Sequence, residues 1–402
     1  MLRAPLEGIR VIEFGTGAVV PDFGKILGEL GADVIKIESK KNLDFMRTIG
    51  PDMNAIHGFN EANRSKRSFG LNLKTEKGRE LAVELIKMSD IVGENFRGGV
   101  MKKLGLDYES VRRFKPDIIY LSSPGFGGGG PYSDYEVYGP MVSAVSGLLS
   151  VWAHPDDPYP VGSNSPIPDH LASKYAVVAV LAALDYRRRT GKGQFIDMAQ
   201  TEVAAGLIGE IYLDYMVNKR VPQPVGNRSP YVAPHGCYRC QGEDRWCAIS
   251  VYTDEEWRNF CRAIGDPPWT KEPKFADLRS RLKNVEELDR LVEEWTSQHD
   301  AREVMEILQA AGVPAGVVQR APDTLEDPQL KARNAVVEVT HPVVGKKLYP
   351  GVPFRFTNRT LPPSRPAPLL GQHTDEICRE LLKLSEEEIR TLKQEGILES
   401  SS

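Results

Sequence analysis

The sequence predicts an α/β protein with a large domain, built on a doubly wound, Rossmann-like parallel sheet, and a smaller α+β domain. Apolar segments with the periods of strands and helices alternate over the first 220 residues, as in parallel sheets covered by helices. Two proline-rich segments, 221–230 and 361–368, then have the composition of linkers. We expect residues 1–220 and 328–402 to form the large domain, and residues 221–327 the small one.

The first 38 residues predict a strand–helix–strand unit. Residues 8–14 and 33–38 are apolar strands. The helix between them has Pro21 in its first turn and extends to about Leu30, where Gly31 ends it. Two strands joined in this way are expected to be parallel, with a right-handed crossover.

The alternation continues along the rest of the large domain. We expect strands at 90–94, 117–122 and 194–199, and helices at 75–88, 108–114, 139–150, 170–189 and 202–217. Thr75 is expected to cap the first of these helices, because a threonine hydroxyl can accept a hydrogen bond from a free helical N–H.

The small domain is predicted to begin with a hairpin. Its strands are expected at 237–239 and 246–251, and Thr253 with Glu256 forms a capping box that opens a helix. Two further helices are expected at 285–297 and 301–311.

Short strands are expected from residue 328 onward, followed by two terminal helices. Ser385 and Glu388 form a second capping box at the start of the last helix. The tail, 399–402, is expected to be unstructured.

Composition excludes several classes of protein. The chain has 402 residues and a net charge of −4, so we expect no nucleic-acid partner and no anionic membrane surface. The longest strongly apolar run, 175–184, is too short to span a bilayer. The N-terminus has no hydrophobic signal core, and the five cysteines follow no disulfide pattern, which predicts a cytoplasmic protein.

Two motifs that suggest cofactors are incomplete. Cys237 and Cys240 have no second Cys or His pair at ligand spacing, so we expect no metal. Gly15 and Gly17 follow the first strand, but Val20 stands where a dinucleotide-binding loop has its third glycine.

A glycine-rich segment, 125–131, follows a predicted strand and therefore lies at the edge where open α/β sheets bind ligands. A mobile lid and a flexible surface loop are both compatible with it. The basic segments 63–67 and 97–103 are compatible with phosphate binding or with a solvated face.

Asp169 precedes a long helix of small and apolar residues. A helix start favours an ionised carboxylate, because its free N–H groups and dipole are positive. Such a carboxylate can act as a nucleophile, but aspartate is also a common helix cap. Its position alone leaves both roles open.

Short sequence segments along nearly the whole chain resemble the class III CoA-transferases, the group of formyl-CoA transferase and carnitine CoA-transferase. They are 6–13 (LEGIRVIE), 31–38 (GADVIKIE), 63–68 (NRSKRS), 71–75 (LNLKT), 94–97 (ENFR), 125–127 (GFG), 189–194 (RTGKGQ), 226–228 (GNR) and 370–374 (LGQHT).

The resemblance implies a nucleophile and a coenzyme A site. Asp169 occupies the place of the family's catalytic aspartate, at a fixed distance before residues 189–194. Expected contacts with coenzyme A are Ala18, Val19, Lys40, Leu71, Asn72, Lys74, Asn95, Phe96, Arg97, Lys103, Gly125 and Tyr138. Ser39 stands where a basic residue often contacts the nucleotide, so Lys40 is expected to substitute, and Glu136 replaces a lysine of formyl-CoA transferase.

The implied activity is transfer of CoA from a donor acyl-CoA to a carboxylic acid, through an aspartyl anhydride and an aspartyl-CoA thioester, without a metal. Two alternatives stay open. One is an α-methylacyl-CoA racemase or related isomerase, although Tyr138 stands in place of the racemase histidine and a phenol is a poor proton shuttle at neutral pH. The other is a non-catalytic CoA-binding subunit.

The resemblance also suggests substrates and assembly. Succinyl-CoA is the expected donor, and an aromatic dicarboxylate such as benzylsuccinate the expected acceptor. Family members form interlocked dimers, so we expect a homodimer or a hetero-oligomer with a related chain.

Overall fold

The computed structural model describes residues 4–157, 159, 162, 165–358 and 360–400. The chain divides into two compact units. Unit one comprises Met1–Leu149, Gly162–Arg220 and Ala332–Ser402, and unit two comprises Ser150–Val161 and Val221–Lys331. The expected small domain, 221–327, lies within unit two, and its independent folding remains a proposal.

The first part of unit one alternates strands and helices. Its strands are β1 (Arg10–Glu13), β2 (Asp33–Glu38), β3 (Arg67–Leu71), β4 (Ile91–Glu94), β5 (Ile119–Ser122) and β6 (Gln194–Asp197). Its helices are α1 (Val19–Glu29), α2 (His57–Ala62), α3 (Glu76–Lys87), α4 (Val100–Leu104), α5 (Tyr108–Val111), α6 (Gly139–Val145), α7 (Ile167–Thr190), α8 (Gln200–Gly206) and α9 (Gly209–Asn218). Thr75 caps α3 by accepting a hydrogen bond from the Gly78 N–H, as predicted.

Unit two contains an antiparallel sheet and several helices. The strands are β7 (His235–Arg239), β8 (Trp246–Ser250) and β9 (Ala315–Val317), and β7 and β8 form the predicted hairpin. The helices are α10 (Asp254–Ala263), α11 (Leu278–Lys283), α12 (Val285–Thr296), α13 (Ala301–Ala310), α14 (Ala321–Glu326) and α15 (Pro328–Ala332), which ends at the first residue of the returning chain. The capping box of Thr253 and Glu256 at α10 is confirmed.

The chain returns to unit one with β10 (Val336–His341), β11 (Gly345–Pro350), α16 (Thr374–Glu380), α17 (Glu386–Gln394) and β12 (Leu398–Glu399). The capping box of Ser385 and Glu388 at α17 is confirmed. The expectation of an unstructured tail is wrong at Glu399, because β12 pairs with β3.

The central sheet has the strand order β12-β3-β2-β1-β4-β5-β6. Every neighbouring pair is parallel except β12 with β3. From β3 to β6 this is the Rossmann order, in which the chain direction across the sheet reverses between β1 and β4. The predicted parallel sheet is therefore confirmed, and its reversal point marks the expected place for a ligand.

Strand β3 was not predicted from the sequence, because only two of its five residues, Phe69 and Leu71, have large apolar side chains. In the structure the Arg67 guanidinium lies 2.6 Å from a carboxylate oxygen of Asp33 and 2.9 Å from one of Glu376. Two distant segments thus neutralise this charge, and a local apolar pattern cannot reveal that.

Three helices differ from their predicted bounds. The helix expected at 108–114 ends at Val111. The helix expected at 139–150 ends at Val145 and is followed by a 3₁₀ turn, Leu148–Ser150. The helix expected at 202–217 is divided into α8 and α9 around Leu207 and Ile208. Gly147, between α6 and the 3₁₀ turn, has a positive φ, which glycine adopts without strain.

Helix α7 has 24 residues and is, by length and composition alone, apolar enough to cross a membrane. The sequence analysis considered only the apolar run 175–184, which is too short to span a bilayer, whereas the whole helix is long enough. Core helices of soluble proteins have the same properties. The small residues Ala172, Ala176, Val180 and Ala183 of α7 are buried. The last three belong to a hydrophobic cluster that also contains Val11 of β1.

Four charged side chains are buried together beside the first strands. The Lys36 ammonium lies 3.1 Å from Glu13 and 2.8 Å from Asp44, and the Lys66 ammonium lies 2.8 Å from Glu13. Burial opposes the charge of Lys36, but Asp44 and Glu13 raise its pKa above the usual value. Burial lowers the pKa of Lys66 to about 8. We call Glu13, Lys36, Asp44 and Lys66 the buried charge cluster.

Replacing Glu13 with glutamine is expected to lower the free energy of unfolding by about 3–5 kcal/mol, because two buried ammonium groups lose a carboxylate. Urea unfolding monitored by circular dichroism measures this. The matched control is Glu80→Gln, which breaks an exposed pair with Lys77 and should cost less than about 1 kcal/mol. Equal losses in the two variants would contradict a structural role of the buried charge cluster.

Candidate active site

A cavity of about 530 Å³ opens at the carboxyl edge of the central sheet. Phe14 follows β1, Ser39 follows β2, Asn95 follows β4 and Gln200 follows β6, and all of them line the cavity. Every lining residue belongs to unit one. The cavity lies where a doubly wound sheet is expected to bind a ligand.

Most of the residues expected to contact coenzyme A line this cavity. They are Ala18, Leu71, Asn72, Lys74, Asn95, Phe96, Arg97, Lys103, Gly125 and Tyr138, and Asp169 lines it with them. Segments that are distant in sequence therefore meet at one place. Their contacts with coenzyme A remain a prediction.

Val19 and Lys40 are not among the lining residues. Val19 is fully buried in the first turn of α1. Lys40 is exposed, and its backbone N–H donates to the Glu399 carboxylate at 2.7 Å. Ser39 and Lys41 line the cavity instead, so Lys41 is the basic residue of this segment on the cavity wall.

The cavity wall carries the positive charge that phosphate groups require. Lys41, Lys74, Lys103 and Arg97 all line it. The Arg97 Nε lies 3.2 Å from an oxygen of Glu136, and both side chains are more than half exposed. Glu136 therefore partly offsets the charge of Arg97.

Hydrogen bonds fix the loop that follows β1. Asp44 accepts from the N–H groups of Gly17 at 3.0 Å and Met46 at 2.9 Å. The side-chain amide of Asn95 accepts from the Thr16 N–H at 2.9 Å and donates to the Thr16 carbonyl at 2.8 Å. The buried charge cluster thus extends, through Asp44, to the cavity wall.

The Asp169 side chain is not a helix cap. Helix α7 begins two residues earlier, at Ile167, with Pro166 as its N-cap residue. Pro168 in the first turn needs no hydrogen-bond partner for its nitrogen, so the helix can start before Asp169. Asp169 therefore lies in the first turn, only 8% exposed.

Few groups stabilise the negative charge of the Asp169 carboxylate. Within the part of the chain that the structure describes, its buried Oδ2 has no hydrogen-bond partner. Burial raises the pKa of Asp169 to about 6, and the positive charge of His170 opposes the rise. Burial therefore outweighs the stabilisation expected from the helix start, but a pKa of about 6 still leaves Asp169 mainly ionised at pH 7.

Gly139 lies directly against the Asp169 carboxylate. A Cβ atom at residue 139 would come within 2.1 Å of Asp169 Oδ2 and 2.7 Å of the Pro166 Cβ. Gly139 therefore packs so closely on Asp169 that any side chain at residue 139 would displace the carboxylate. The local sequence contains no signal for this contact, because residues 139 and 169 belong to different helices.

Tyr138 and Phe45 form an aromatic pair on the cavity wall. Their ring centroids are 5.4 Å apart, and their exposed fractions are 55% and 44%. Tyr138 directly precedes Gly139 and is the N-cap residue of α6. Sequence reasoning missed Phe45, whose position follows from the turn that Asp44 caps at Phe45–Thr48.

The glycine-rich segment is anchored rather than loose. The Gly128 N–H lies 2.9 and 3.1 Å from the two oxygens of Asp197, at the end of β6. Phe126, Tyr132 and Tyr135 pack against one another with centroids 5.1–6.3 Å apart. Tyr135 also lines the cavity, so this segment supports the cavity wall.

The sequence model of CoA-transferase family III matches residues 6–374. The chain belongs to CoA-transferase family III.

The family III transferase is similar to proteins of several bacteria. It is 34% identical to "Probable CoA-transferase Rv1866" of Mycobacterium tuberculosis, over 98% of this chain and 50% of that protein. It is 32% identical to the succinate–glutarate CoA-transferase of Agrobacterium fabrum, over 94% and 96% of the two chains. The chain thus spans about half of the first relative and nearly all of the second.

A solved structure supports the fold of this family III transferase. The crystal structure of a CAIB/BAIF family protein from Brucella suis superimposes with a TM-score of 0.86 and 32% identity, over 94% of this chain and all of the other. The protein is therefore a class III CoA-transferase by family and fold, an enzyme class whose substrates are acyl-CoA thioesters and carboxylic acids.

Replacing Gly139 with alanine is expected to lower transferase activity at least about a hundredfold, because the new methyl group would clash with Asp169 Oδ2 and displace the carboxylate. Steady-state kinetics measure the loss, and calorimetry with CoA should show little change in binding. The control is Gly206→Ala in α8, where an added Cβ meets nothing within 4 Å. A fully active Gly139→Ala variant would show that reaction does not occur at this oxygen.

Proposed function

We propose that this enzyme transfers CoA from succinyl-CoA to a carboxylic acid, with Asp169 as the covalent nucleophile. The observation that carries the proposal is the state of Asp169: a buried carboxylate on the cavity wall whose Oδ2 is unpartnered among the residues described. An oxygen without hydrogen bonds keeps its lone pairs available for attack.

The first half of the reaction forms two intermediates. The Asp169 carboxylate attacks the thioester carbonyl of the donor, the C–S bond breaks, and CoA leaves as a thiolate. The thiolate then attacks the aspartyl carbonyl of the mixed anhydride, the anhydride C–O bond breaks, and the donor acid leaves. Asp169 is now an aspartyl-CoA thioester.

The second half reverses these steps with a new acid. The carboxylate of the acceptor attacks the aspartyl thioester, the C–S bond breaks, and a second anhydride forms. The CoA thiolate attacks the acyl carbonyl of the acceptor and releases ionised Asp169. Each step exchanges one acyl bond for another of similar energy, so atoms, charge and energy balance without ATP.

The site must protect these intermediates from water. Burial of Asp169 supports this requirement, since an exposed anhydride would be hydrolysed. Backbone N–H groups at the start of α7 and at residues 125–129 are candidate donors to the oxyanion. The Gly128 N–H already donates to Asp197, and the N–H groups of Asp169 and His170 already donate to the Pro166 carbonyl, so these groups would have to exchange partners.

We infer that the acceptor is a dicarboxylate with an aromatic or similarly large apolar group, such as benzylsuccinate. The Phe45–Tyr138 pair supports the aromatic group, because both rings are half exposed on the cavity wall beside Gly139. The name of the Agrobacterium relative, which specifies succinate and glutarate, supports a dicarboxylate.

The two alternative functions have less support. A racemase needs a proton shuttle near the α-carbon, and the phenol of Tyr138 is poorly suited to that task. A non-catalytic subunit would not need an unpartnered carboxylate beside a glycine. Release of α-deuterium without a second acid would favour the racemase.

We further propose a cytoplasmic, interlocked dimer of two copies, or of one copy with a related chain. All five cysteines are free, as in a reducing compartment. Helices α7 and α9 leave large apolar side chains exposed, and such surfaces are typical of subunit contacts. They are Tyr175, Val178, Leu181, Tyr212, Leu213, Tyr215, Met216 and Val217.

Replacing Asp169 with asparagine is expected to lower transfer at least about a thousandfold while CoA still binds. Mass spectrometry with acyl-CoA and hydroxylamine should detect an adduct at residue 169 in the unchanged enzyme alone. The control is Asp185→Asn, which alters an exposed carboxylate on the same helix. Full transfer by Asp169→Asn would disprove the covalent mechanism.

Replacing Tyr138 or Phe45 with leucine is expected to raise KM for an aromatic dicarboxylate about threefold to tenfold, because an aromatic contact is lost. KM for glutarate should change little. Initial-rate kinetics with the two acceptors measure the difference, and Phe354→Leu, an exposed position away from the cavity, is the control. Equal changes for both acceptors would refute aromatic selection.

A further inference from the structure

The basic side chains Lys41 and Lys74 lie on the cavity wall without acidic partners. Lys41 follows β2, Lys74 follows β3, and both line the cavity. Within the residues that the structure describes, neither ammonium group forms an ion pair. Arg97, in contrast, lies 3.2 Å from Glu136. An unpaired cation on a cavity wall attracts a ligand anion such as a phosphate group, so the contacts that hold these two segments affect ligand binding.

Lys41 lies in a tight turn that is held from outside. The Asn42 N–H donates to the Ser39 carbonyl at 2.9 Å, and the Ser39 N–H donates to the Asn42 carbonyl at 3.4 Å. In such a turn, the N–H of the second residue has no partner within the turn. Here that residue is Lys40, and its N–H donates to the Glu399 carboxylate at 2.7 Å. The side chain of Glu399 therefore anchors the turn to β12.

Strand β12 and the residues just before it also hold the segment that carries Lys74. The Asn72 N–H donates to the Ile397 carbonyl at 2.9 Å, and the Asn72 side-chain amide donates to the Gly396 carbonyl at 3.2 Å. The side-chain oxygen of Asn72 accepts in turn from the Lys74 N–H at 3.2 Å. One segment of the chain, 396–399, therefore supports two basic segments of the cavity wall.

Backbone contacts fix Glu399 itself. Its carbonyl accepts from the Thr374 hydroxyl at 2.6 Å, and that hydroxyl accepts from the Gly70 N–H at 2.9 Å. A Cβ atom at Gly70 would come within 2.2 Å of the same carbonyl oxygen, and a Cβ atom at Gly371 within 2.4 Å. The position of β12 thus depends on the backbone of Glu399, whereas its side chain holds the turn.

We propose that Glu399 is a positioning residue for the acyl-CoA substrate: its carboxylate fixes the turn 39–42, so that Lys41 is directed to a phosphate group of the coenzyme. This inference rests on the proposed function, in which succinyl-CoA binds in this cavity. The charge of Glu399 by itself would act against binding, because a carboxylate repels a phosphate group. Positioning and electrostatics therefore predict opposite effects when the side chain is removed.

Replacing Glu399 with alanine is expected to raise the Kd for CoA about threefold to tenfold, because the turn loses a hydrogen bond and Lys41 must be ordered on binding. In Glu399→Gln the amide oxygen can still accept from the Lys40 N–H, so the Kd should stay within about twofold of that of the unchanged enzyme. KM for succinyl-CoA should rise with the Kd in Glu399→Ala, while kcat changes little.

Calorimetry with CoA on the full-length enzyme measures the Kd, and exchange of radiolabelled succinate into succinyl-CoA measures KM and kcat. A double-mutant cycle with Lys41→Ala, which should also raise the Kd, tests whether Glu399 acts through Lys41. In the Lys41→Ala background, Glu399→Ala should add no further loss. The matched control is Glu395→Ala, which removes an exposed carboxylate from the residues before β12 and should leave these constants unchanged.

Unchanged or tighter CoA binding in Glu399→Ala would overturn the inference, as would an equal loss in Glu399→Gln or additive losses in the double variant. A fall in kcat without a rise in KM would also overturn it, because that result indicates damage to the fold. Calorimetry involves no reaction, so it tests Glu399 even if Asp169→Asn retains transfer and the covalent mechanism fails. If Lys41→Ala alone leaves the Kd unchanged, the placement of coenzyme A against Lys41 is wrong, and the inference is overturned with it.

Discussion

The buried charge cluster is the constraint on which the site depends. Lys36 of β2 contacts Glu13 of β1 and Asp44, and Lys66, just before β3, contacts Glu13 as well. A buried charge without a partner costs several kcal/mol, so these segments cannot separate independently. Since Asp44 also holds Gly17 and caps the turn that carries Phe45, the same charges fix one wall of the cavity.

Asp169, the proposed nucleophile, is the opposite case. Asp169 is buried without the cations that compensate Glu13, and its pKa rises to about 6. The carboxylate is then ionised at neutral pH yet more basic and less hydrated than an ordinary aspartate, which suits attack on a thioester. Two buried acids of unit one therefore differ in their electrostatics, because only Glu13 lies between two ammonium groups.

Locally encoded features were predictable. The caps at Thr75, Thr253 and Ser385 were recognised because each depends on residues three positions apart. β3 and β12 were not recognised, since each depends on partners far away in the chain. For the site, most of the residues that the family resemblance suggested line the cavity, but it suggested Lys40 where the neighbouring Lys41 lines the wall.

The sequence by itself determined the alternation of strands and helices, the family, and the position of Asp169 relative to residues 189–194. Only the tertiary structure decided what surrounds Asp169: Gly139 against its oxygen and the Phe45–Tyr138 pair nearby. The physical reason is that periodicity and capping act over a few residues of one chain segment. Burial, and the electrostatic energies that follow from it, depend on which distant segments the fold brings together.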